Sequence, residues 1–158
     1  MQPYKVIRVK DNYHEFTTRA GIKYACYFLS YAGFFDEYQE IAGNVYGFNV
    51  QQISKGKKIT VDSRIGYTIV SIVKAFLSEL INAVIYVCDN ADSRELMRKR
   101  KFDTWFKQYD DGSIIKIDGH IVYGDLDIYN SILIHKENQK KNRFIEAFTE
   151  LNQATENK

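Results

Sequence analysis

Hydrophobic residues alternate with polar ones through the first third of the chain, and a helical spacing follows. The alternation predicts a hairpin of residues 4–9 and 13–17, a third strand at 22–29 and a fourth at 45–53. The aromatic and acidic segment 30–44 is long for a loop, which indicates either a function or a short helix.

The first strong helix begins near Asp62, a residue type that favours the N-cap position. This helix is expected to end at Asn82. Its apolar residues are spaced so that they form one buried face: Ile65, Ile69, Ile72, Val73, Phe76, Leu77 and Leu80. The continuous apolar run 83–88 predicts a strand that is buried on both faces. A turn at 89–92 and a second helix at 93–109 come next.

The last third of the chain predicts two short strands, 114–117 and 120–123, joined by a hairpin turn at 118–119. A further strand at 128–135 precedes a helix at 139–152. The predicted order is four strands, helix, strand, helix, three strands and helix. This order favours an α+β fold with a mostly antiparallel mixed sheet flanked by helices.

Composition narrows the class of protein. With 45% apolar residues in 158, the chain suits one packed domain at 1–152, followed by a disordered tail at 153–158. A net charge of +2 gives no general attraction for polyanions. Cys26 and Cys88 lie in apolar runs, as small buried residues do in a reducing compartment. No apolar stretch approaches the ~20 residues that span a membrane, so a cytoplasmic location is expected.

The junction between the buried strand and the second helix is the first candidate site. A helix N-terminus attracts anions, but Asp89 and Asp92 oppose a phosphate there, and Asp92 is more simply explained as the N-cap. Cys88 occupies a position that nucleophilic cysteines use. It has no evident histidine partner in the sequence, so a structural thiol is favoured.

The second helix carries a basic stripe, which consists of Arg94, Arg98 and Lys101 and ends at the aromatic residue Trp105. Such a binding face can hold a phosphate, a nucleotide or a nucleic-acid backbone, and the alternative is a solvated helix surface. Phe102 and Phe106 lie beside the stripe and are expected in the core.

The remaining ionisable residues predict no metal site, because the histidines His14, His120 and His135 are dispersed. His120 follows the expected turn glycine and should be exposed. Five acids in predicted loops are candidates for acid–base pairs, although loop acids are usually solvated: Asp36, Glu37, Glu40, Asp125 and Asp127.

The order of elements from Val45 to His135 resembles that of the N-acetyltransferase superfamily that includes the histone acetylases. In that superfamily a strand leads into a glycine-rich turn and a helix that hold the pyrophosphate of acyl-CoA, and a strand and a second helix follow. Asn90, Leu96 and Phe102 match the usual spacing of the second helix.

The resemblance implies a fold and a ligand. It places the pyrophosphate turn at 63–67, where Arg64 and Gly66 match the pattern, and it makes acetyl-CoA a candidate cofactor. Whether the sheet splays beside residues 84–88 to leave a cleft for a cofactor is a question for the structure. Asn90, Arg94 and Arg98 complete the candidate cofactor-binding set. Met97 stands where the superfamily has a general-acid tyrosine, and a thioether cannot donate a proton, so catalysis is not implied.

A second resemblance spans most of the chain. An aromatic stretch at 24–31, a DxRI segment at 62–65 and a CDxxDxR run at 88–94, followed by Phe102, Trp105 and Phe106, are similar to a family of small bacterial proteins classed as a domain of unknown function. This resemblance implies a shared fold and no activity.

Two hypotheses of different kinds remain open. The first is an acetyltransferase-like protein that binds acyl-CoA or another phosphate-bearing ligand. The second is a non-enzymatic regulatory module that binds protein or nucleic acid, for which the aromatic content and the absence of an intact catalytic set are the motivation.

Overall fold

The computed structural model describes residues 1–54, 62–89 and 95–156 as an α+β fold around one mixed sheet. Seven strands form it: β1 (Ile7–Lys10), β2 (Tyr13–Thr17), β3 (Lys23–Ser30), β4 (Val45–Gln52), β5 (Ala83–Asp89), β6 (Ile114–Tyr123) and β7 (Leu126–His135). Their spatial order is β1-β2-β3-β4-β5-β7-β6, and all neighbours are antiparallel except β4 and β5. The predicted fold class is confirmed.

Helices cover both faces of this sheet. They are α1 (Gln39–Ala42), α2 (Ser63–Leu77), α3 (Glu95–Tyr109) and α4 (Lys141–Glu156), with a short 3-10 helix at Ala32–Phe34. Because parallel neighbours need a crossover connection, α2 links β4 to β5. The segment 30–44 contains the short helix that was one of the two expectations for it. Residues 55–58 (KGKK), for which the sequence predicts a turn after the fourth strand, lie outside the described residues.

Two apolar cores lie on opposite faces of the sheet. The face covered by α2 and α3 buries residues that include Phe16, Phe28, Phe48, Ile69, Val73 and Phe102. The face covered by α1 and α4 buries residues that include Phe35, Ile41, Ile132, Phe144 and Phe148. The β5 strand supplies Val84 to the first core and Ile85 to the second. The prediction of a strand buried on both faces is therefore confirmed.

The α2 helix begins as expected and ends early. The Asp62 carboxylate accepts a hydrogen bond from the backbone N–H of Arg64 at 3.0 Å, which confirms Asp62 as the N-cap. The expected end at Asn82 was wrong. The N–H and the hydroxyl of Ser78 both donate to the Ala75 carbonyl and close the last turn there. Leu80 consequently leaves the buried stripe and is 39% exposed.

The phenylalanines of α3 are buried as predicted, and α4 also packs an apolar face against the core. Phe102 and Phe106 of α3 are in the core, and so are Phe144 and Phe148 of α4. The α4 helix continues past Asn152, where it was expected to end, to its last described residue.

The hairpin expected at 118–119 was wrong. The β6 strand runs unbroken through this dipeptide and pairs with β7 along its whole length. The turn is formed instead by Gly124 and Asp125, because Gly124 adopts a φ of 59°, which a tight turn needs and a glycine tolerates. Gly119 serves a different purpose, since a Cβ there would lie 2.3 Å from Oδ1 of Asn130.

Candidate functional site

The sheet opens between β4 and β5. These parallel strands pair over four positions, the last of which is Phe48 opposite Tyr86, and no described residue continues the ladder beyond it. Each strand nevertheless runs on, β4 to Gln52 against β3 and β5 to Asp89 against β7. The carboxyl halves of β4 and β5 therefore bound an opening, which we call the fork. It lies beside residues 84–88, where the acetyltransferase resemblance raised the question of a splay.

The amino end of α2 points to the same edge of the sheet as the fork. A helix that connects two parallel strands runs from the carboxyl end of the first to the amino end of the second, so its N-terminus lies over the carboxyl ends of both. Val50 of β4 and Ile65 of α2 accordingly pack against the same core. The positive end of the α2 dipole is thus directed toward the fork.

Arg64, a predicted cofactor residue, holds the amino-terminal segment of the chain. Its guanidinium donates to the carbonyl oxygens of Gln2 at 3.1 Å and Pro3 at 3.4 Å. The same group lies 3.9 Å from the centroid of the Tyr4 ring. The Tyr4 hydroxyl in turn donates to the Asp62 carboxylate. Arg64 therefore ties the start of the chain to the start of α2.

Gly66, another predicted cofactor residue, lies in the contact between α2 and α3. A Cβ on Gly66 would lie 2.2 Å from Cδ1 of Trp105, so only a glycine lets the two helices approach this closely. Trp105 is partly buried against the core, and Lys101 Nζ lies 5.5 Å from its ring centroid. Two members of the predicted binding face are thus in contact with each other, and Trp105 is also in contact with α2.

Only some of the other predicted site residues lie within the described part of the chain. Asn90, Asp92 and Arg94 lie outside the described residues. Met97 is 66% exposed on α3, so its side chain faces solvent and contributes nothing to the core.

Cys88, Tyr86 and Arg98 form a polar cluster at the carboxyl end of β5, beside the fork. Burial raises the pKa of the Cys88 thiol, and hydrogen bonds with Tyr86 and Arg98 oppose this only in part. Burial also raises the pKa of the Tyr86 hydroxyl, whose ring stacks on Phe102 with centroids 3.8 Å apart. At neutral pH Cys88 is therefore a protonated thiol in a hydrogen-bonded cluster, and a thiolate nucleophile is disfavoured.

A charged network under α3 adjoins this cluster. Lys99 and Lys116 each bind Asp103, at 2.6 Å in both cases, and both also contact Asp118. Burial opposes ionisation of Asp118, but hydrogen bonds from Lys116 and Ser131 and the nearby lysine charges hold its pKa below the usual range. The network fixes α3 on β6 and β7, and its lysine from α3, Lys99, lies outside the predicted basic stripe.

The pairing of the strands sets further polar residues in a row with Cys88. Cys88 lies opposite Tyr129, and Tyr129 lies opposite His120, so the three side chains share one face of the sheet. The His120 ring stacks on Tyr129 with centroids 4.1 Å apart, and its Nε2 contacts the Asp127 carboxylate. Asp127 was expected in a loop and lies in β7 instead, because the alternating pattern starts two residues earlier than predicted.

The contact between His120 and Asp127 was not predicted from the sequence. Their contact depends on the register of β6 against β7, and the misplaced turn at 118–119 hid that register. His120 is 43% exposed at its side chain, which agrees with the expectation that it faces solvent. A usable signal was the alternation in LDIYNSI, which marks a strand from Leu126 onward.

The described part of the chain contains neither a metal-binding cluster of side chains nor a helix that could span a membrane. No group of three His, Cys, Asp or Glu side chains in residues 1–54, 62–89 and 95–156 could hold a metal ion. None of the helices in these ranges combines the length and the apolar character that crossing a bilayer requires.

Fold and fork together define an α+β protein with a mixed sheet that opens between two parallel strands. The chain belongs to a family of unknown function (DUF6169), whose model matches residues 61–150. This match confirms the membership that the sequence resemblance indicated. No curated protein matches the chain. Among solved structures, a CoA-dependent acyl-homoserine lactone synthase, MesI, is similar at a TM-score of 0.40 and 10% identity, over 93% of this chain and 70% of the synthase.

Proposed function

We propose that the protein binds acyl-CoA, or another ligand that bears a phosphate, in the fork between β4 and β5. The observation that carries this proposal is the end of strand pairing after Phe48 and Tyr86, while both strands continue. Past that point no described residue of one strand pairs with the other, so an extended ligand with amide groups can bond to both edges. The pantetheine arm of CoA is such a ligand.

Electrostatics supports a phosphate at the same place. The amino end of α2 is directed at the fork, and the positive end of a helix dipole attracts anions, although the Asp62 carboxylate already accepts from the N–H of Arg64. Arg98 adds a guanidinium at the end of β5, next to Cys88. We assign the phosphate to Arg98 and the first turn of α2, with Asn90 and Arg94 as further candidates. Arg64 orders the amino-terminal segment, and Gly66 serves helix packing.

Binding is favoured over catalysis for three reasons. Met97, at the position of the superfamily's general acid, faces solvent and cannot donate a proton. The raised pKa of Cys88 disfavours a nucleophilic thiolate. His120 and Asp127 could exchange a proton, but two strand spacings, roughly 10 Å, separate the β6 strand of His120 from β5.

Thermal melting with a ligand series tests the proposal. Acetyl-CoA should raise the melting temperature in a dose-dependent way, because a ligand that binds only the folded state stabilises it. Pantetheine and adenosine 3′,5′-bisphosphate should each raise it less, since each supplies only part of the contacts. No shift at millimolar acetyl-CoA would refute the proposal.

A matched pair of variants locates the site. Arg98→Ala should reduce the shift that acetyl-CoA causes, because it removes the guanidinium at the fork. Lys107→Ala removes the same charge from the opposite end of α3 and should leave the shift unchanged. Equal losses in both variants would indicate general charge attraction and would contradict binding in the fork.

A further inference from the structure

A second cavity lies at the other end of α2 from the fork. Its volume is about 560 Å³, it is open to solvent, and it is lined by the amino-terminal segment, the β1–β2 hairpin and the carboxyl half of α2. This volume falls within the range of roughly 300–1,000 Å³ that is usual for small-molecule sites. Neither the family match nor the fork accounts for it.

One wall of the cavity is aromatic and rigid. Phe76 lines it and stacks face to face on Phe28, with ring centroids 3.9 Å apart. Tyr46 also lines it and meets Phe76 edge-on at 5.0 Å. Val6 and Ile72 extend the apolar surface. Because these rings support one another, the wall offers a preformed face for a flat apolar group.

The rest of the lining carries opposite charges. Arg8 and His14 come from adjacent strands, where they lie opposite each other, and Glu79 comes from the turn after α2. Burial, and then the charge of Arg8, lowers the pKa of His14, so its imidazole is neutral at pH 7 and can donate or accept a hydrogen bond. Within the described ranges, neither His14 nor Glu79 forms an ion pair.

The Arg8 guanidinium does have a partner in the protein. It contacts the Asp11 carboxylate, and the two side chains are 65% and 91% exposed. Exposed ion pairs of this kind contribute little stability. A ligand carboxylate that binds Arg8 can therefore replace Asp11 at small cost.

We propose that this cavity binds a small zwitterion with an aromatic body, which is the chemistry of an aromatic α-amino acid. Arg8 and His14 bind the carboxylate, Glu79 binds the ammonium group, and the ring lies against Phe76 and Tyr46. The site is distinct from the fork, because it lies at the opposite end of α2.

Isothermal titration calorimetry with three related compounds tests the assignment. L-Tryptophan should bind saturably, whereas indole-3-propionate lacks the ammonium group and tryptamine lacks the carboxylate. Each of these two should bind about tenfold more weakly, which is the effect of one lost charge-assisted hydrogen bond. No binding of L-tryptophan to the folded protein, or equal affinity for all three compounds, would overturn the proposal.

Variants assign each charge to its residue. Arg8→Ala should weaken L-tryptophan to the level of tryptamine, and Glu79→Gln should weaken it to the level of indole-3-propionate. Asp11→Asn should strengthen binding, because it releases Arg8. Lys10→Ala and Glu37→Gln, which alter charges outside the cavity, should change nothing.

A cavity-filling variant completes the test. Ala75→Trp should abolish L-tryptophan binding while acetyl-CoA still raises the melting temperature, since Ala75 lines only the cavity. Retained L-tryptophan affinity in Ala75→Trp would place the ligand elsewhere and overturn the proposal. A loss of acetyl-CoA binding alone would bear on the fork and leave the cavity assignment standing.

Discussion

The contact between Gly66 and Trp105 allows a quantitative test of how α2 packs on α3. In Gly66→Ala the new methyl group would lie 2.2 Å from Cδ1 and 2.3 Å from Nε1 of the indole. Real Cβ contacts are essentially never this short, so the ring or one of the helices must move. Trp105 is held between the core and Lys101, which limits its freedom to move.

Two opposing terms set the expected change in the free energy of unfolding. Alanine is more favourable than glycine inside a helix by about 1 kcal/mol. Overpacking of this kind costs about 1–3 kcal/mol. Gly66→Ala should therefore destabilise the protein by about 0–2 kcal/mol. In a Trp105→Ala background the clash is absent, and the same substitution should stabilise by about 1 kcal/mol.

Urea unfolding followed by far-UV circular dichroism measures all four members of this double-mutant cycle. Trp105→Phe provides a milder background if Trp105→Ala folds poorly. Gly43→Ala is the matched control, because Gly43 has a helical φ of −70° and a Cβ added there would meet nothing within 4 Å. If Gly66→Ala has the same effect with and without the indole, the close contact does not exist and the packing role of Gly66 is refuted.

Three further predictions concern single residues. Asp62→Ala should destabilise the fold by about 1 kcal/mol in urea unfolding, because it removes the N-cap of α2, and Ser63→Ala is the neutral control. Cys26 and Cys88 are buried, and burial raises the pKa of Cys26 to about 12. Both thiols should therefore react with Ellman's reagent only as the protein unfolds. Immediate reaction of the native protein would contradict this prediction. The pKa of His14 is lower in the folded state than its ordinary value of 6.5, so the unfolded state binds more protons. The contribution of His14 to stability is therefore complete above pH 6.5 and falls as the pH drops toward its folded pKa; His14→Gln should flatten that part of the stability curve.

Local patterns in the sequence predicted most of the elements. The N-cap at Asp62, the buried phenylalanines of α3 and the doubly buried β5 all follow from spacing and residue type, which act within a few residues. The wrong prediction of a turn at 118–119 has the same origin, because it also rested on a local preference. Asp-Gly favours a hairpin turn locally, but pairing of β6 with β7 along ten residues outweighs that preference.

The candidate site was harder to predict from the sequence, because its geometry depends on contacts between residues that are far apart in the chain. Arg64 matched a phosphate-binding position, yet residues 2–4, about sixty positions away, accept its hydrogen bonds or stack beneath it. The pairing of β4 with β5 ends at a point that no local pattern marks. The cavity beside His14 likewise combines residues from β1, β2 and α2, which only the tertiary fold brings together.

The fork also bears on how the chain folds. Strands β1 to β4 form one antiparallel set and β5 to β7 form another, and in the second set β5 pairs with β7 across the intervening α3. Only four parallel residue pairs join the two sets within the sheet, and they require closure of the whole α2 crossover. Because so few pairs hold it, we expect the β4–β5 seam to be the weakest connection within the sheet. Opening of the seam would expose Phe48 and Val84 to solvent, so aggregation would begin there.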